Sequence, residues 1–304
     1  MRCAGAADIG GTNTRVGLVS EDGTVIRIER IKTPVSGRAE DIAKAVGSIL
    51  HEMTGGKMDT IAGIGVAAAG PIDIIAGTLL HPPNIPFQIV PITGPLTRQT
   101  GCTVRLFNDC RAAVLGEVLA GGGKGRKNVV YITISTGIGG GIFSGDTVLT
   151  GRGGNAGEIG HFPVDTTYSF PCTCGLTGHW EGYASGKGIP AFFQEWCRMH
   201  GYPCDGYLTA SDILDLAHED VRGREFRFVL AKMNGRGLSS VLVAYDPECI
   251  IFDGAVFLHH PDLMEEAIAC TDRYLELPEF KMSPLNGNAP LIGAAMALFH
   301  PEML

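Results

Sequence analysis

Residues 8–12 read Asp8-Ile9-Gly10-Gly11-Thr12, and residues 135–141 read Ser135-Thr136-Gly137-Ile138-Gly139-Gly140-Gly141. Each stretch follows an apolar run of strand character and leads into a second strand. Each second strand ends in a short turn, Asp22-Gly23-Thr24 in the first case and Gly145-Asp146-Thr147 in the other. From Gly10 to Gly137 is 127 residues, about one domain length. A strand, a glycine-rich turn, a strand and a hairpin, repeated at that interval, suggest two domains that face each other across a cleft.

A glycine-rich turn presents successive backbone N–H groups with no Cβ in the way, and such groups bind phosphate oxygens. Thr12, Asn13 and Thr136 would add side-chain donors, and Asp8 at a strand end could hold Mg²⁺ through water. One such loop by itself is equally a structural hairpin; two, one domain apart, favour phosphate. No G-x-x-x-x-G-K-[ST] segment occurs and no clear G-x-G-x-x-G opens a helix, so neither a P-loop nor a dinucleotide fold is indicated. Gly121-Gly122-Gly123-Lys124-Gly125 reads as a loop that ends a helix.

Outward from these turns, the first 32 residues read as a strand meander. Ile42, Val46, Ile49, Leu50 and Met53 recur at helical spacing, and residues 61–66 read as a buried strand. The proline-rich stretch 70–96 reads as loop with short extended pieces. A strand over 104–107 ends at Asn108-Asp109, where a helix begins, and 129–134 is a further strand. Later come one or two helices over 226–243, a strand over 249–252, and helices over 262–275 and 292–299. Strands alternating with helices imply an α/β fold.

Of the 304 residues 45% are hydrophobic and 18% charged, which excludes a disordered chain. Net charge is −8, against a nucleic-acid partner. No run of about 20 apolar residues is present to cross a membrane. Met1-Arg2-Cys3-Ala4-Gly5 lacks an apolar signal core, and nine cysteines in a large apolar chain do not make a disulfide framework. The expected location is cytoplasmic.

Two segments carry further chemistry. Asp109, between a strand and a helix N-terminus, is on its own most simply a helix cap, kept ionised by the helix dipole. It is also placed to take the proton of an attacking hydroxyl, with Asn108 orienting the same substrate. His161, Cys172, Cys174 and His179 follow at spacings of 11, 2 and 5 in a Gly- and Pro-containing loop. Four such donors suit tetrahedral Zn²⁺ of structural type. Glu158 and Glu181 bracket them, either to grip sugar hydroxyls or as solvated surface charges.

Taken together, the chain resembles the ROK family of sugar kinases and sugar-responsive repressors. The matching pieces are residues 8–12, Pro83-Asn84-Ile85-Pro86, Asn108-Asp109 with Ala112-Ala113 and Gly116-Glu117, residues 135–141, Gly157-Glu158-Ile159-Gly160-His161, Cys172 to Glu181, and the terminal Gly293-Ala294-Ala295. The resemblance implies a two-lobed actin-like ATPase (ribonuclease H-like) fold with a cleft between lobes. The expected lobes are 1–107 plus 290–304, and 108–289. It implies transfer of the ATP γ-phosphoryl group to a hexose, at the C6 hydroxyl, with Asp109 as base. The sugar is glucose or a related hexose or N-acetylhexosamine. Gly70, Asn84, Asn108, Asp109, Glu158, His161 and Glu181 would hold it. Asp8, Gly10, Gly11, Thr12, Asn13, Thr136, Gly137, Gly139 and Gly254 would hold Mg-ATP. His161, Cys172, Cys174 and His179 would hold structural zinc, His161 using its second nitrogen for the sugar.

Two departures stand out. His179 replaces the family's third cysteine, and Asp253-Gly254-Ala255 replaces its late triple glycine. An acid at 253 would contact ribose hydroxyls or crowd the nucleotide, which keeps another donor such as polyphosphate open. The repressors carry a winged helix-turn-helix ahead of the first glycine turn. Only seven residues precede Asp8 here, so the expectation is the kinase rather than a non-catalytic sugar sensor. Homodimers are common in the family.

Overall fold

The chain opens on a strand of small residues, β1 (Cys3–Ile9), whose Ala4, Ala6 and Ala7 are fully buried. The computed structural model describes residues 2–203 and 206–304. After β1 come β2 (Asn13–Ser20), β3 (Val25–Lys32), α1 (Asp41–Met53), β4 (Ile64–Ala68), β5 (Ile72–Asp73), β6 (Thr78–Leu80), β7 (Ile89–Pro91), α2 (Thr93–Thr100), β8 (Val104–Asn108) and α3 (Asp109–Ala120). The second glycine turn lies between β9 (Asn128–Ile134) and β10 (Ile138–Ser144), followed by β11 (Thr147–Val148). Then follow α4 (Trp180–Ala184), α5 (Gly188–His200), α6 (Ala210–Glu219), α7 (Val221–Tyr245), β12 (Cys249–Asp253), α8 (Ala255–His259), α9 (Pro261–Ala269), β13 (Glu279–Met282) and α10 (Ala289–Met296).

The repeat read in the sequence is realised in topology. One sheet runs β3-β2-β1-β4-β8 and another β11-β10-β9-β12-β13, the same order counted from the strand before each glycine turn. In the first, β1, β2 and β3 form an antiparallel meander, and β4 and β8 join β1 in parallel. In the second, β10 and β11 are antiparallel and β12 and β13 parallel. A small sheet, β5-β6-β7, occupies the proline-rich stretch.

The chain divides into two compact units, Met1–Tyr131 with Gly141–Gly157 and Ser283–Leu304, and Ile132–Gly140 with Glu158–Met282. This differs from the division at 107 and 290 expected from the sequence: α3, with 121–131, 141–157 and 283–289, falls in the first unit. The reason is a glycine contact. A Cβ on Gly293 of α10 would run into the Ala112 carbonyl of α3, and one on Gly116 of α3 would lie 2.6 Å from the Ala289 carbonyl. The two helix backbones therefore touch. On its other side α10 sets Leu291 and Ala295 against Ala4, Ala6 and Val19 of the sheet.

Other differences are local. A helix, α2, begins inside the stretch read as loop and runs past its end at residue 96; Pro95 falls in its first turn, where no intrahelical donor is needed. The helix expected over 262–275 stops at Ala269, and the Asp272 amide turns to the Ser239 hydroxyl at 2.9 Å. Helices α5 and α6 were not anticipated. The glycine-rich run 135–141 is loop only to Gly137, and Gly139 already lies in β10. No helix is long and apolar enough to cross a membrane among the described residues. None of the eight described cysteines forms a disulfide; Cys204 lies outside the described residues.

Candidate active site

In the first unit the β1–β2 turn is pinned from beneath. The Gly10 amide donates to the Asn13 carbonyl at 3.0 Å. Thr33, just past β3, donates its hydroxyl to the Gly10 carbonyl at 2.6 Å and its amide to the Thr12 carbonyl at 3.0 Å. The amides of Gly11 and Thr12 have no backbone partner among the described residues. Gly11 must be glycine, since a Cβ would strike the Pro83 carbonyl. The same contact brings Asn84, exposed and at φ +61°, against the turn.

Asp8 and Arg15 face each other in the β1–β2 register, and the Arg15 Nε and Nη2 both donate to Asp8 Oδ2, Nε at 3.0 Å. Arg15 also reaches Asn288 Oδ1 at 3.3 Å. This guanidinium holds the carboxylate in one orientation and grips a single oxygen. Gly70 follows β4 on the same sheet.

At the start of α3 the cap is Asn108, not Asp109. Its Oδ1 accepts the amides of Cys110 at 3.0 Å and Arg111 at 3.2 Å, which leaves its side-chain N–H₂ to donate. Asp109 is thereby relieved of the capping role. Its carboxyl is pushed above the ordinary range by burial first and by the negative charge of Asp8 second, against the pull of the Cys110 amide. Burial and Asp8 thus work against the helix dipole, which favours the ionised form. A raised carboxyl is a better base toward an alcohol.

In the second unit, the loop between β9 and β10 is held by α4 and its exit. The Gly186 amide donates to the Ser135 carbonyl at 2.7 Å, and the Lys187 amide to the Thr136 carbonyl at 3.4 Å. The Ile138 amide donates to Glu181 Oε2 at 2.9 Å, so this amide is not open to a phosphate. The amides of exposed Thr136 and of Gly137 have no such partner among the described residues. Gly254, at φ +96°, packs on the Ile134 backbone. Asp253 before it is buried, and its Oδ1 accepts the Gly254 amide at 2.7 Å.

His161, Cys172, Cys174 and His179 converge, their ligand atoms all within 4.8 Å of one another. The His161 Nδ1 lies 3.8 Å from Cys172 Sγ, and the His179 Nδ1 3.3 Å from Cys174 Sγ. Tetrahedral zinc with N and S donors needs ligand separations of about 3.3–3.8 Å, so this donor set fits a zinc ion after a small contraction. The Cys172 thiol is pushed up by burial and, more weakly, by the charges of Cys174 and Glu181, a cluster that a cation would relieve. With Nδ1 turned inward, His161 keeps Nε2 for another partner.

The loop is anchored by residues that carry no signal in the sequence. Buried Asp165 accepts the amides of Thr167 at 3.0 Å and Tyr168 at 2.7 Å and the Tyr183 hydroxyl at 2.9 Å. Trp180 of α4 donates Nε1 to Asn234 of α7 at 2.7 Å. Thr33, Tyr183 and Asn234 act through contacts 18 to 54 residues apart in sequence, and Arg15 and Asp165 through turn and register geometry, none of which spacing reveals. Glu158 and Glu181 remain where the sequence set them, Glu158 exposed before His161 and Glu181 in α4.

The chain shares this architecture with proteins of known structure. It matches a ROK hexokinase from Thermus thermophilus with a TM-score of 0.85 and 30% identity, over 99% of each chain. It matches a ROK family glucokinase from Streptomyces griseus, in complex with glucose and AMPPNP, with a TM-score of 0.75 and 27% identity, over 96% of this chain and 98% of the other. The fold is accordingly the actin-like ATPase fold. A glucokinase from Pyrobaculum calidifontis is 34% identical over 302 residues, 98% of this chain and 95% of that one. The ROK family model matches residues 4–300, and the chain belongs to the ROK family.

Proposed function

We infer that the chain transfers the γ-phosphoryl group of ATP to the C6 hydroxyl of a hexose, with Asp109 as general base. It is a sugar kinase. The similarity to a glucokinase and to a structure that holds glucose and AMPPNP supports glucose, or a related hexose or N-acetylhexosamine, as acceptor. One observation carries the mechanistic reading. Asn108 takes over the helix cap, and Asp109 is left as a carboxylate raised by burial and by Asp8.

In this reading Asp109 accepts the proton as the primary hydroxyl attacks the γ-phosphorus in line. The open amides of Gly11, Thr12, Thr136 and Gly137 bear charge on the phosphate oxygens, with the hydroxyls of Thr12 and Thr136 beside them. Gly10, Asn13, Gly139 and Gly254 shape the backbone near the nucleotide. Asp8, fixed by Arg15, is the carboxylate assigned to nucleotide-borne Mg²⁺. Gly70, Asn84, Asn108, Glu158, His161 and Glu181 are assigned to sugar hydroxyls. His161, Cys172, Cys174 and His179 would hold zinc, whose part is to fix the His161 ring so that its Nε2–H is preorganised for the sugar.

The test is the product. With Mg-ATP and glucose, NMR of the phosphorylated sugar is expected to place phosphorus coupling on C6; coupling at C1 would overturn the assignment of the attacking hydroxyl.

A further inference from the structure

The Cys-x-Cys loop and the second glycine-rich loop share one carboxylate. Glu181 Oε1 accepts the hydroxyl of Thr173, which stands between Cys172 and Cys174, at 3.0 Å. Its Oε2 accepts the Ile138 amide at 2.9 Å. The glycine at 137 is shaped to this arrangement, because a Cβ there would run into the Glu181 carboxylate. Beyond Glu181, the exit of α4 takes hold of the other end of the same loop through Gly186 and Lys187. The helix that makes these contacts begins directly after His179 and is fixed from behind by the bond from Trp180 to Asn234. Residues 135–138 are thus held along their length by a helix suspended from the His/Cys cluster.

We propose that Thr173 and Glu181 form a clasp through which the His/Cys loop positions the second glycine-rich loop, so that metal occupancy governs nucleotide affinity and not sugar grip alone. This rests on the reading that Thr136 and Gly137 bind the nucleotide's phosphates. The physical argument is preorganisation. Open amides bind an anion well only while the loop stays in one conformation, and apparent affinity falls in proportion to the fraction of molecules that have it. Each carboxylate oxygen can accept more than one hydrogen bond, so Glu181 can serve the clasp and a sugar hydroxyl together. In this role Glu181 and Thr173 are positioning residues.

The experiment is calorimetric titration of Mg-AMPPNP into the sugar-free protein, with zinc content and melting temperature measured on every sample. Thr173→Val is expected to weaken nucleotide binding about three- to tenfold, and Glu181→Ala more than about tenfold, at unchanged zinc content. Thr173→Ser, which keeps the hydroxyl, is expected to restore binding to within about twofold of wild type. Protein stripped of zinc by a chelator is expected to resemble Glu181→Ala and to recover on reloading. Wild-type affinity in both Thr173→Val and Glu181→Ala would overturn the clasp. Wild-type protein that fails to bind Mg-AMPPNP at all would instead overturn the assignment of the loop to nucleotide.

Discussion

Asp109 is the residue at which folding and chemistry pull apart. Its folded-state pKa lies above that of a free aspartate, about 3.9, because burial and Asp8 disfavour the charge. The protonated form is therefore the one that folding favours. That contribution is present below the unfolded pKa and is lost as pH rises through the folded one. At neutral pH the ionised carboxylate weighs against the fold. Asp109→Asn is expected to lower kcat by about 10²–10⁴ while the melting temperature holds or rises, read by steady-state kinetics and calorimetry. Retained kcat with a lower Tm would contradict the assignment. Asp165 behaves in the opposite sense. Burial opposes its charge, but the amides of Thr167 and Tyr168 and the Tyr183 hydroxyl hold its carboxyl below the usual range. Its contribution is present above the unfolded pKa and is lost as pH falls through the folded one. Asp165→Asn is expected to cost about 1.5–3 kcal/mol at pH 7. Urea denaturation at pH 7 and near pH 3 should find that gap narrowing in acid.

At the scale of elements, the decisive contact is α3 on α10. Glycines at 116 and 293 let two helix backbones meet, and a methyl group at 293 has no room beside the Ala112 carbonyl. Gly293→Ala is expected to cost at least about 1–3 kcal/mol, measured by chemical denaturation; wild-type stability would refute this account of the packing. Strands such as β1, β2 and β9 were legible because apolar runs bounded by glycine turns have few other solutions. The His/Cys cluster was legible because its four donors lie within 19 residues. The helix α2 was hidden by a proline whose place in the first turn is harmless. Arg15 and Thr33 were hidden for a different reason: each acts across a strand register or past a strand end, and only the folded sheet brings it to Asp8 or Gly10. The cap at Asn108 was misread by one residue, and that single step decides whether Asp109 is structural or available for chemistry.

At the scale of the whole molecule, two sheets with the same strand order each present a glycine turn after their first-counted strand. One turn lies near the paired carboxylates Asp8 and Asp109, the other beside the His/Cys loop. In the proposed mechanism a duplicated scaffold of this kind would supply anion-binding amides twice and leave the intervening segments to define the acceptor. The chain's membership of the ROK family and its likeness to a glucokinase fit that division of labour. The central claim is ATP-dependent phosphorylation of a hexose, and the most direct test is ADP release with Mg-ATP across a panel of hexoses and N-acetylhexosamines. The account predicts turnover on glucose or one close relative, far slower turnover on the rest, and none without sugar. Silence across the whole panel, from folded protein with zinc bound, would contradict it.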